Sequence, residues 1–117
     1  MNAEVFKQRT KSLALRIIRL VESLPNTKTT HIIGKQIIRS STSVGANYRA
    51  SCRAKSTADM INKLKIVEEE ADETMYWMEL LVESRIVSGD KMKELIKETD
   101  EIISMTVSSI KTLRNKH

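Results

Sequence analysis

STADMINKLKIVEEEADETMYWMELLVE, residues 56–83, is the stretch from which the fold class follows. Ser56-Thr57-Ala58-Asp59 approximates a capping box, with Asp in the place where Glu is commoner. Met60, Leu64, Val67, Ala71, Met75, Met78 and Val82 then recur every three or four residues, the repeat of one face of an α-helix. The pattern runs to about Ile86, where Ser88-Gly89 interrupts it. Roughly 30 helical residues at about 1.5 Å each make a rod of about 45 Å.

Three more amphipathic segments surround this rod. Ahead of it, Phe6, Leu13, Ile17, Val21 and Leu24 mark one face of a helix from about Ala3 to Leu24, closed by Pro25-Asn26-Thr27. A second helix is expected to start with Thr29 or Thr30 as N-cap and to reach Arg53, with Ile33, Ile37, Val44 and Tyr48 on its apolar side. Its middle is built of small residues, Ser40 to Ser43, Gly45 and Ala46. These are mediocre helix formers that let another backbone come close, and the alternative is a kink or loop near Gly45. After the rod, Ser88 or Asp90 caps a fourth helix with its stripe at Met92, Leu95, Ile96, Ile102, Ile103, Val107, Ile110 and Leu113. Its acidic residues come early and Lys111, Arg114 and Lys116 late, as the helix dipole favours. Four helices with short connections pack most simply as an all-α, antiparallel up-and-down four-helix bundle, expected as a single domain over residues 1–117.

Composition agrees with this and closes other routes. The chain of 117 residues is 40% hydrophobic and 30% charged, enough for a core and a solvated surface. Three Gly and one Pro are too few for a sandwich or barrel of many short strands. One Cys excludes a disulfide framework and a Cys-based structural zinc site. No apolar run is long enough to span a membrane. The N-terminal segment is basic and amphipathic like a transit peptide, but its pattern is that of a core helix, so a cytoplasmic location is expected.

Catalysis finds little support. Glu69, Glu70 and Glu73 on one helix and Glu94, Glu98 and Glu101 on the next suggest a di-metal carboxylate bundle, yet neither His31 nor His117 follows a Glu by three residues. Cys52 has Arg49, Arg53 and Lys55 near it in sequence, which favours a thiolate, but no neighbouring His as base. Glycine-rich phosphate loops are absent. No enzyme activity, metal or cofactor is expected.

The charge distribution says more. Residues 1–66 hold 13 Lys and Arg against Glu4, Glu22 and Asp59; residues 67–117 hold 7 basic and 12 acidic residues. A basic half of this size faces a polyanion or an acidic partner, or else pairs with the acidic half of its own fold. Arg39, Arg49, Arg53, Lys55, Lys63 and Lys65 flank the turn between the second and third helices, and Arg16, Arg19 and Lys35 add to them. Arg49, Arg53, Lys55 and Lys63 are the candidate contacts to RNA or DNA phosphates. With 3% aromatic residues, base stacking is poorly supplied, so recognition would rest on charge and shape.

Two further expectations concern packing. A turn near Lys55 puts Arg39 opposite Ala71, in reach of Glu70 or Glu73, and Asn47 opposite Lys63; Arg39 is expected to be partly buried in an ion pair. Tyr76, Trp77 and Leu80 lie outside the third helix's stripe and make a candidate self-association surface, the alternative being a core wide enough to take them.

The segment Gln36-Ile37-Ile38-Arg39-Ser40-Ser41-Thr42-Ser43-Val44-Gly45-Ala46-Asn47-Tyr48-Arg49-Ala50 is not generic bundle sequence. It resembles the bacterial 23S rRNA intervening-sequence protein family, also known as the four-helix-bundle protein family, at Gln36, Arg39, Ser40, Ser43, Val44 and Asn47. The likeness continues through Ala54-Lys55-Ser56, Lys63-Leu64 and Glu70-x-x-Glu73-Thr74-x-Tyr76-Trp77. Family members often carry Glu where this chain has Ala50. The resemblance implies an up-and-down bundle, assembly into ring-like pentamers, and a distant relationship to the basic pentameric accessory protein of diversity-generating retroelements, which works with nucleic acid and a reverse transcriptase. The resulting expectation is a cytoplasmic, non-enzymatic homo-oligomer, a pentamer by resemblance, that contacts RNA or DNA through its basic half. The alternative is a structural or protein-binding module with no nucleic-acid role.

Overall fold

Each helix opens on a short polar side chain that satisfies backbone N–H groups the helix itself leaves free. In the computed structural model, which describes residues 2–116, Asn2 accepts from the N–H groups of Glu4 and Val5 and starts α1, Ala3–Glu22. Thr27 and Thr30 form a reciprocal capping box that starts α2, Lys28–Cys52. Ser56 caps α3, Thr57–Glu83, and Ser88 caps α4, Gly89–Asn115. His117 lies outside the described residues.

Two boundaries differ from expectation. The N-cap of α2 is Thr27, not Thr29 or Thr30. Thr30 is needed as its partner: buried at the third helical position, it accepts from the Thr27 N–H and donates to the Pro25 carbonyl. Between them, α2 runs unbroken through Ser40–Gly45 as expected, without the alternative kink. The Ser40, Ser41 and Thr42 hydroxyls donate to carbonyls of the preceding turn of their own helix and leave the backbone ladder intact. Finally, α3 ends at Glu83 rather than near Ile86. Arg85 takes the left-handed conformation (φ 65°) and closes the helix, with its N–H donating to Val82 and those of Ile86 and Val87 to Leu81.

The helices pack in chain order around one core, α1 on α2, α2 on α3, α3 on α4, and α4 lightly back on α1. They run antiparallel. Gly45, late in α2, approaches Thr10 early in α1, whereas Gly34, early in α2, approaches Val21 late in α1. Ala3, at the start of α1, lines a cleft with Ser108, Thr112 and Lys116 late in α4, whereas Arg9 reaches Glu98, Glu101 and Met105 in the middle of α4. The body measures 48 × 22 × 20 Å.

Phe6, Leu13, Ile17, Ile37, Val44, Val67, Met78 and Ile102 from the expected stripes are fully buried. Threonines and serines are also buried. Thr99 and Thr106 occupy core positions of α4 between Leu95, Ile102 and Ile110, each donating to the carbonyl four residues back. Ser40 and Thr74 meet across the α2–α3 seam at 2.8 Å, both wholly buried. Among the described residues no buried side-chain polar atom lacks a hydrogen-bond partner, so these hydroxyls avoid the cost of unpaired burial.

Candidate nucleic-acid interface

The 25 residues of α2 include no Asp or Glu. Counting outward from Ile37 and Val44 in the core, the opposite crest of the helix carries Lys28, Ile32, Lys35, Arg39, Thr42, Ala46, Arg49 and Arg53, spaced alternately four and three. All eight are exposed, so this crest is basic at five of its eight positions.

At the end of the crest near Lys55 the structure brings the four candidate contacts together. Arg49, Arg53, Lys55 and Lys63 line one surface groove between α2 and α3, with Ala46 and Ala50 on its floor and Asp59 as its single carboxylate. Asp59 is not idle. It accepts from the Lys63 ammonium at 2.7 Å and from the Lys55 backbone N–H at 3.1 Å, and these bonds hold its carboxyl below the usual range. Arg49, Arg53 and the Lys55 side chain are left facing solvent.

On the other flank of the crest a second groove, between α1 and α2, is lined by Lys7, Lys11, Thr42, Gly45, Ala46 and Arg49 among others, with Glu4 as its one carboxylate. Arg49 and Ala46 therefore stand on the ridge between two basic grooves. Lys7 and Lys11 are additions to the site. Their four-residue spacing on the α2-facing side of α1 is the signal that points to them.

Other parts of the basic half are matched by carboxylates. Arg9 donates to Glu98 at 2.6 and 3.0 Å and to Glu101 at 2.9 Å, which raises its already high pKa, chiefly through the Glu98 bond. Arg16 shares a hollow with Glu94, Lys97, Glu98 and Glu101. Arg39 donates to Glu70 at 2.9 Å and to Glu73, the pairing that its position opposite Ala71 suggests. It is not partly buried as expected, because its side chain keeps 47% of its surface in water. Asn47 does not reach across to Lys63. Its amide donates to the Ser43 carbonyl and hydroxyl within α2, and Lys63 belongs to Asp59.

Glu73 also accepts from the Trp77 indole N–H at 3.0 Å. This bond first, and Arg39 second, holds its carboxyl below the ordinary range. Trp77 is half-buried against the core, which in part meets the alternative of a wide core, and Leu80 is half-buried. Tyr76 is 52% exposed with its ring 5.1 Å from that of Trp77. Ile32 and Ile66, not singled out in the sequence, are also exposed, at 56% and 41%.

The remaining chemistry-bearing groups do not converge. Glu70 and Glu73 turn to α2, Glu98 and Glu101 to α1, and among the described residues no group of His, Cys, Asp and Glu could hold a metal ion. Cys52 does not share a groove with Arg49, Arg53 and Lys55. It lines a separate cleft beside Tyr48, whose phenol is pushed up to about 12 by burial and then by the Cys52 contact.

Of Gln36, Arg39, Ser40, Ser43, Val44 and Asn47, two cross to α3: Arg39 to Glu70 and Glu73, the latter also bonded by Trp77, and Ser40 to Thr74. Gln36 accepts from Arg39, Arg39 bridges the glutamates, Ser40 meets Thr74, Ser43 holds Asn47 and Val44 fills the core. The two runs of sequence that carry the family likeness touch each other. The family model described as 23S rRNA-intervening sequence protein matches residues 3–108. The chain belongs to this family. A solved structure, that of a protein of unknown function from the S23 ribosomal protein family of Bacteroides thetaiotaomicron, is similar to it at 39% identity with a TM-score of 0.88, covering 95% of this chain and 99% of that one. No curated protein matches. Of the signature residues, Arg39 and Ser40 tie α2 to α3, while Arg49 and Arg53 further along the crest are not among the signature positions.

Proposed function

We propose that this protein is a non-enzymatic, cytoplasmic oligomer that contacts RNA or DNA through the basic end of α2 and its two flanking grooves. The observation that carries the reading is an acid-free helix whose crest, with Lys7, Lys11, Lys55 and Lys63 on its flanks, gathers six cations around Ala46 with only Glu4 and Asp59 among them. The family's description by a ribosomal RNA insertion is consistent with a nucleic-acid partner. Among the described residues no helix is long and apolar enough to cross a membrane.

Such binding is electrostatic. Each phosphate contact contributes about −0.9 to the slope of log K against log salt for duplex DNA and about −0.7 for single strands, so four contacts per subunit give roughly −3 to −4. Fluorescence anisotropy with labelled oligonucleotides over a salt series measures this directly. Tight binding at low salt with a slope of that size supports the reading; no binding at low salt overturns it.

Tyr76, Trp77 and Leu80 form the apolar surface proposed for self-association, with a pentamer as the expected ring. Light scattering returning the mass of a single chain, 13.3 kDa, at micromolar concentration contradicts this. The second reading, a protein-binding or structural module, draws on the internal pairing of Arg9 and Arg39, which shows that part of the basic half neutralises its own fold.

A further inference from the structure

We infer that the bundle end where α1 begins and α4 finishes binds a small amphipathic anion, an aliphatic carboxylate whose chain lies in a cleft between the helices and whose head meets Lys116. The cleft has a volume of about 680 Å³ and takes lining residues from all four helices. Small-molecule sites run from about 300 to 1,000 Å³ and occur between the helices of bundles. It shares no residue with the two basic grooves, so the inference stands apart from the nucleic-acid reading. The cleft exists because of what the sequence places on the α1–α4 seam. Further along that seam Arg9 spans the gap to Glu98 and Glu101. Here the facing residues are Ala3 on α1 and Ser108, Ser109 and Thr112 on α4, with side chains too short to close it.

The chemistry of the lining names the class of ligand. Met60, Leu64, Met105 and Leu113 supply an apolar surface, and beside them lies Tyr48, packed on Phe6 with ring centroids 4.5 Å apart. An alkyl chain displaces water from such a surface favourably. The two methionines are unbranched and adapt to the shape of what they touch. The Ser108, Ser109 and Thr112 hydroxyls have no hydrogen-bond partner among the described residues. Those of Thr99 and Thr106, earlier in α4, bond back to their own helix. The free hydroxyls are available to donate to a carboxylate. No Asp or Glu lines the cleft, and Lys116, at its exposed rim, is the one cation. The charge thus selects an anion over a cation, and the apolar surface selects a chain over a bare phosphate or a sugar.

The test uses the full chain with decanoate as probe and with decanol, decyltrimethylammonium and butyrate as comparisons. Calorimetry measures binding. Alkylation of Cys52 by uncharged iodoacetamide reports where binding occurs, because this single thiol is part of the cleft wall. The expected result is a Kd for decanoate of about 1 mM or tighter, and at least about tenfold weaker binding of butyrate, which lacks most of the apolar chain. Cys52 alkylation should slow about tenfold at ten times the Kd, where about one site in ten remains free. Decanol and decyltrimethylammonium should bind more weakly than decanoate, and Lys116→Gln should remove the advantage of decanoate over decanol. Thr112→Phe fills the cleft from an exposed position and keeps every charge, so it should weaken decanoate binding with helicity unchanged. If that variant loses helicity, the Lys116→Gln comparison carries the test. Absence of decanoate binding, or binding that leaves Cys52 alkylation unchanged, overturns the site. Equal affinity for decanol and decanoate overturns the anion assignment. A Cys52 that reacts only after dilution to the single chain shows a second copy of the chain covering the cleft and overturns the proposal as well.

Discussion

Arg39 shows how a residue can be placed in its pairing and misjudged in its surroundings. Its distance from the turn at Lys55 points it to Glu70 and Glu73, and both accept from it. The same helical count puts it two residues past Ile37 and five before Val44, opposite the buried side of α2, so it stays in water. The network it belongs to ends on the chain's single tryptophan, whose indole N–H bonds the Glu73 carboxylate. Glu73 is held below its ordinary value of 4.5, so the folded state prefers it ionised. Its contribution to stability is therefore present at neutral pH and is lost as the pH falls through the lowered folded value. Intrinsic fluorescence should report a Trp77 transition with a midpoint below 4.5, with helical circular dichroism unchanged over the first part of the titration, and Arg39→Gln should move that midpoint upward. A midpoint at or above 4.5, or one that Arg39→Gln does not shift, would show that the network does not form in solution.

At the scale of elements, all four helices, their order and most of their buried faces were readable from apolar spacing, because four stripes of period 3.6 leave few other ways to cover one another. What escaped has physical causes. Thr99, Thr106 and Thr74 read as polar, yet sit in the core because their hydroxyls bond back to their own helix. The end of α3 was set too late because a left-handed Arg85 terminates it, where a glycine would have announced the turn. An L side chain in that conformation costs about 1–2 kcal/mol, so Arg85→Gly should stabilise the protein by about 1 kcal/mol and raise the melting temperature by about 4 °C, as thermal denaturation by circular dichroism can show. The helical glycines of α2 should respond differently from each other. A methyl group at Gly45 would lie 3.6 Å from Thr10, an ordinary contact, and at Gly34 it would lie 2.9 Å from Val21 Cγ1. Gly45→Ala should therefore stabilise by about 0.5–1 kcal/mol. Gly34→Ala should lose that gain to crowding of the α1–α2 seam, and its melting temperature should not rise.

At the scale of the whole molecule, the charge asymmetry was plain in the sequence, but which cations remain free was not, since that depends on which helices become neighbours. Arg9 is neutralised because α1 closes against α4, and Arg39 because α2 lies on α3. Lys7 and Lys11 join Arg49 because α1 also borders α2. The signature residues Arg39 and Ser40 bond across the α2–α3 seam, whereas the proposed interface rests on Arg49, Arg53 and Lys55, which make no ion pair among the described residues and so are free to meet phosphates. The most direct test of this division is the salt dependence of nucleic-acid binding by the parent protein and by the triple variant Arg49→Ala/Arg53→Ala/Lys55→Ala. The account predicts unchanged helicity and a slope of log K against log salt lower by roughly two to three units per subunit. A triple variant that binds like the parent, with the same slope, would contradict it.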